Sequence, residues 1–243
     1  MKTYALSITL CFLVCFTSPG KIKNGYSTDI HGARESLRSI NLLLATDKNL
    51  SIFQRFSMKG KINDLTKFIT YYELTEKLLN QFRTVTPDLY FEIDTLTDRK
   101  GRNLDVYIKF VPEKEMTPGV AGTTNLNQDK NDPDAYFSEY GINTVSVRIA
   151  VVKKALPLLA HELGHVRYQA PNLADYMQFY TKFYLANTYK FKSIGHNDND
   201  PSGHQATVYS KRFREKYLSF IKYGEKKIES HVALLQEIQM QFQ

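Results

Sequence analysis

The sequence predicts an α+β fold, and three observations carry that reading. Runs of strict apolar alternation fall between residues 89 and 151, a helical pattern precedes them, and everything after Lys153 reads as helix. Strands gathered in front of helices, without a repeating β–α order, argue a small, mostly antiparallel sheet with a helical C-terminal half. The 243 residues, 42% apolar and 13% aromatic, supply the core of one large domain.

The elements follow in chain order. Lys2 precedes an uncharged, mostly apolar run from Tyr4 to Phe16, which ends in Thr17-Ser18-Pro19-Gly20. A run this short, closing on small residues, reads as a secretory signal peptide rather than a membrane span, with cleavage after Gly20. The protein is therefore expected to be exported, either secreted or held in the periplasm or cell envelope. Both cysteines, Cys11 and Cys15, lie inside residues 1–20, so the mature chain carries no thiol and no disulfide. A lipid anchor would need a small residue before the modified Cys, and Val14 and Leu10 stand there instead. Nothing later is long and apolar enough to span a membrane.

Residues 21–243 are expected to form a single domain, with a mixed part over about 36–170 and a helical part over about 171–243. Residues 21–35 read as an irregular polar leader, and Ile40–Leu44 as a short buried apolar element. Asn63 can cap a helix reaching Phe82, with Leu65, Phe68, Ile69, Tyr72, Leu79 and Phe82 at helical spacing. Pro87 ends that pattern. Leu89, Phe91 and Ile93, then Leu104, Val106, Ile108 and Phe110, alternate with polar or aromatic residues on either side of Asp98-Arg99-Lys100-Gly101, which predicts an antiparallel hairpin. Residues 112–143 read as a long surface loop. Val145, Val147, Ile149 and Val151 predict a third strand.

The net charge of +7 is scattered among acidic residues. No basic stripe marks a nucleic-acid partner, and none is expected.

Ala160-His161-Glu162-Leu163-Gly164-His165-Val166 carries the chemistry. On a helix, His161 and His165 stand one turn apart on one face, so both imidazoles can reach one metal ion. Glu162 is placed beside them to take a proton from water. Given 6 His and 12 Glu in this chain, a chance H-E-x-x-H is expected at roughly one per cent. Leu156, Leu158, Leu159, Leu163 and Val166 clothe the other sides of the helix. Pro157 is tolerated because it falls in the first turn.

These residues resemble the zincin metallopeptidases. The resemblance covers His161-Glu162-Leu163-Gly164-His165, the alternating strand before it and the export signal, about forty residues. It implies a zincin-like fold, Zn2+ as cofactor with His161 and His165 as ligands, Glu162 as general base, and a peptide or protein substrate. It also implies that an antiparallel edge strand before the helix aligns that substrate, a role that falls on Val145–Val151. Three positions depart from the pattern. Tyr168 and Pro171 stand where the metzincin type has Gly and a third His, and Arg167 stands where an apolar residue is usual.

A third ligand must then lie downstream. Asp175 sits about 140° from the apolar stripe of its helix at Tyr180. His204 sits about 160° from Ala206, and Glu215 is off the same stripe. His196, following Gly195 in a polar loop between two helices, is the expected ligand. Asp200 has a competing role as N-cap before Pro201, and remains the alternative with His204 third. For His196 to reach the metal, Ala170-Pro171-Asn172 is expected to reverse the chain. The function expected is zinc-dependent peptide hydrolysis, the alternative a non-catalytic binding protein on the same scaffold.

Overall fold

The computed structural model describes residues 21–187 and 201–223. Among those residues the architecture is α+β: five α-helices with a four-stranded and a three-stranded sheet.

Strand β1 (Ile22–Asn24) leads to helix α1 (Ile30–Thr46) and helix α2 (Ile52–Val85). The stretch expected to be an irregular leader therefore holds a strand and the start of a helix. Leu42 and Leu43, expected to be buried, are exposed on α1. Ser51, rather than Asn63, caps α2: its hydroxyl accepts from Gln54 N while the Gln54 side chain accepts from Ser51 N. That reciprocal pair satisfies two donors at the helix start. The last turns of α2 bury Tyr71, Leu74, Leu78, Leu79, Phe82 and Val85.

Residues 87–94 form helix α3 (Pro87–Asp94), which overturns the first half of the expected hairpin. Pro87 opens the helix and Asp88 lies in its first turn, both favourable there. Leu89 and Ile93 are one turn apart and fully buried, whereas Phe91 is 66% exposed. Over five residues the two periodicities overlap, and the i,i+4 pair prevails by burial. The turn itself is present: Gly101 takes φ +74°, Asp98 N bonds to Arg102 O, and Leu104 N bonds to Leu96 O.

Strand β2 (Asp105–Val111) runs parallel to β1 on one side and parallel to β7 (Thr144–Ala150) on the other. Strand β3 (Gly122–Asn125) pairs antiparallel with β7, giving the order β1-β2-β7-β3. Two of the three pairings are parallel, so the sheet is mixed and not mostly antiparallel. The expected edge strand over 145–151 is an interior strand, and the antiparallel edge strand is β3. Burial explains this: Val145, Val147 and Ile149 point one way, Thr144, Ser146 and Ala150 the other, and all are buried. A strand covered on both faces belongs inside a sheet.

The stretch 112–143 is not a plain loop. It holds a 3-10 turn at Glu113–Glu115, β3, and a small sheet of β4 (Asn127–Gln128), β5 (Tyr136–Ser138) and β6 (Gly141–Ile142).

Helix α4 (Ala155–Asn187) runs unbroken through Pro171. The reversal expected at Ala170-Pro171-Asn172 is absent, and the boundary placed at residue 171 falls inside one helix. Helix α5 (Pro201–Tyr223) packs along α4. Its stripe is the one its periodicity predicts, with Ala206, Tyr209 and Phe213 buried and Phe213 stacked on Phe82 at 5.4 Å. Arg212 clamps it to α3 through Glu92 at 2.7 Å and Asp88 at 3.1 Å. Among the described residues no helix is long and apolar enough to cross a membrane.

Candidate metal centre

His161, Glu162 and His165 lie in the second and third turns of α4, where the helix passes behind β7 and β3. The two imidazole rings stand 5.0 Å apart between centroids, at 85° to each other. Two imidazoles each bound through one nitrogen at about 2.0–2.1 Å to a tetrahedral zinc have centroids roughly 5 Å apart. The pair thus fits a shared zinc ion in donor type and in spacing. His165 is buried and His161 half-buried, which places the site at the surface end of a buried face.

Glu162 is 5% exposed. Its Oε2 accepts a hydrogen bond from the Thr124 hydroxyl at 2.6 Å, and Thr124 Oγ1 lies 3.3 Å from the Glu162 carbonyl oxygen. Gly122 stands on the other side of the carboxylate. A Cβ there would sit 2.7 Å from Oε1 and 3.1 Å from Cδ. Strand alternation explains the pairing of roles: residues 122 and 124 are two apart, so both face α4 from the last strand of the sheet. Burial pushes the Glu162 carboxyl above the usual range, and the Thr124 hydrogen bond opposes that rise. A base that is easier to protonate than a free carboxylate suits transfer near neutral pH.

Arg167 is half-exposed and turned toward α3, its Nε 4.0 Å from Glu92 in the cluster that holds Tyr209 and Arg212. The charge standing where an apolar residue is usual therefore serves helix packing away from the imidazoles.

Thr124 and Gly122 flank the Glu162 carboxylate, and the sequence reading names neither. Their local signal was a pair of β-branched residues, Thr123-Thr124, in a stretch dominated by turn formers. The Thr124 contact with Glu162 spans 38 residues of sequence and has no local trace.

Among the described residues no third His, Cys, Asp or Glu converges with His161 and His165. Glu215 is exposed, in keeping with its place off the α5 stripe. His196 and Asp200 lie outside the described residues, as do the side chains of Asp175 and His204. The unbroken α4 replaces the expected reversal with a longer path. At 1.5 Å per residue Asn187 is roughly 33 Å along the helix from His165, and nine residues can span at most about 30–32 Å, so His196 would meet the imidazoles only through a fully extended segment together with the reach of the side chains.

No family model matches the chain, no curated protein matches it, and no solved structure matches it.

Proposed function

We propose that the protein is an exported zinc-dependent peptidase. One observation carries this reading: two imidazoles spaced for one zinc ion, with a buried carboxylate on the adjacent residue held by the sheet edge. A purely structural metal site has no use for such an acid.

His161 and His165 would hold the ion, with His196 proposed as the third ligand. Bound zinc supplies a Lewis acid that lowers the pKa of water toward neutrality. Glu162 accepts the proton from the attacking water. The water oxygen bonds to the peptide carbonyl carbon, the C–N bond breaks, and Glu162 returns the proton to the departing nitrogen. Thr124 occupies Oε2, so Oε1 carries the proton, and the absence of a side chain at Gly122 makes room for the carboxylate. The outer edge of β3, the last strand of its sheet, offers main-chain groups to an extended peptide.

The decisive experiment pairs metal analysis with turnover of a quenched-fluorescent peptide mixture. Wild type is expected to hold about one zinc per chain and to cleave. Glu162→Gln is expected to keep the zinc and lose cleavage by several orders of magnitude. A Glu162→Gln protein that cleaves at the wild-type rate, or that loses its zinc, overturns the mechanism.

A further inference from the structure

Helices α1 and α2 pack against each other as a hairpin joined through residues 47–51. Apolar side chains beside that link face outward. Ile52 is 84% exposed, Phe53 86% and Phe56 80%, with Leu42 and Leu43 exposed at the same end of α1. Leaving two phenylalanines and an isoleucine in water is unfavourable by the transfer free energy of each side chain. Clustered at one end, they mark a surface meant to be covered.

The end is built rather than frayed. The capping box of Ser51 and Gln54 starts α2. The Arg55 guanidinium reaches back to the carbonyl oxygens of Asp47 at 2.8 Å and Leu50 at 3.3 Å, tying α2 to the linker. Ile52, Phe53 and Phe56 share one helical stripe, and Lys59 continues that stripe one turn further in.

Charge selects the occupant. Residues 36–63 contain Arg38, Lys48, Arg55, Lys59 and Lys61 against the single acid Asp47. Lys48, Lys59 and Lys61 are exposed. Two copies meeting through this end would bring like charges together, which disfavours a second chain. An anionic bilayer satisfies both features. Lys59 and Lys61 begin roughly 5–8 Å along α2 from Phe56, comparable to the 5–10 Å to which apolar side chains enter the headgroup boundary.

We propose that the α1–α2 end is a docking surface for an anionic lipid bilayer, with Ile52, Phe53 and Phe56 entering the interface and Lys48, Lys59 and Lys61 meeting the phosphates. This holds the protein at a membrane surface without a spanning helix, and it is independent of whether the metal centre is catalytic.

The chain contains no Trp, so Phe53→Trp places a single reporter at this end of the full chain. Its emission is expected to shift to the blue, with less quenching by acrylamide, on adding vesicles of phosphatidylglycerol and phosphatidylcholine in equal parts. Pure phosphatidylcholine vesicles should bind at least roughly tenfold more weakly, and raised salt should weaken binding to the anionic vesicles. Phe91→Trp, on exposed α3, should not shift. Combining Lys48→Glu, Lys59→Glu and Lys61→Glu with the reporter should weaken binding by roughly fivefold or more for each lysine replaced. An unshifted Phe53→Trp with anionic vesicles overturns the proposal. So does a blue-shifted emission without vesicles: if it depends on protein concentration the end pairs with a second copy, and if not, another part of this chain covers it.

Discussion

Thr124 donates its hydroxyl hydrogen to Glu162 across 2.6 Å, joining the last strand of the sheet to the helix that carries both histidines. The bond holds Oε2 of a buried acid, while Oε1 lies against Gly122. It also makes β3 part of the site, although nothing in residues 122–125 resembles a motif.

Replacing Thr124 by Val removes the donor while keeping the shape. A buried carboxylate that loses its hydrogen bond is less favourable by about 1–3 kcal/mol. Thr124→Val should therefore lower kcat on a peptide substrate roughly tenfold or more with little change in KM, and Thr124→Ser should restore it. Equal kcat in Val and wild type would remove Thr124 from the mechanism.

Gly122→Ala tests the other flank. The added methyl would stand 2.7 Å from Oε1, so the carboxylate must move while the backbone need not. Zinc content is expected to stay at the wild-type level while kcat falls. Loss of zinc without loss of fold would mean that β3 positions the imidazoles instead.

His161→Ala and His165→Ala should each abolish stoichiometric zinc, because each removes one of two donors spaced for one ion. His196→Ala is expected to weaken zinc sharply, whereas Asp200→Ala should lower stability by about 1 kcal/mol and leave most of the metal, as loss of an N-cap does. Elemental analysis of the set, with His204→Ala included, identifies the third ligand. Full zinc in His196→Ala and none in Asp200→Ala or His204→Ala would reassign it.

Phe213 is fully buried and stacks on Phe82, so Phe213→Ala opens a large cavity between α5 and α2. Urea unfolding should show a loss of about 3–5 kcal/mol. A loss below about 1 kcal/mol would mean that α5 is not held to the core there.

Asp132 is the clearest pH marker. Hydrogen bonds from Lys100 and Arg102 lower its carboxyl to about 2. A depressed folded value means that these bonds are fully present above the ordinary carboxylate pKa of about 3.9 and are lost as pH falls through about 2. NMR titration should give a midpoint near 2 for Asp132, and Arg102→Ala should move it back toward the ordinary value. An unchanged midpoint in that variant would exclude the Arg102 contribution.

Some of this molecule was legible in its residues alone. The motif helix, the strand at 144–150, the turn at Asp98–Gly101 and the inner stripe of α5 all follow from periodicity and turn chemistry acting over a few residues. Residues 89–93 satisfy two periodicities at once, and only the burial of Leu89 and Ile93, on a helix packed against α2, α4, β1 and β2, separates helix from strand. The reversal expected at Ala170-Pro171-Asn172 rests on returning His196 to the metal, not on any local pattern. The helix continues through Pro171 in the structure.

What the sequence by itself determined is the pair of imidazoles and the acid beside them, because a helix converts a spacing of four into one face without help from the rest of the chain. What only the tertiary structure decided is everything that touches that face. Strand order placed β7 inside the sheet and β3 at its edge, and the register Thr124↔Val147 with Gly122↔Ile149 turned both residues toward Glu162. Sheet order and register are set by which buried faces pack together across dozens of residues, and such packing is not encoded in any local spacing.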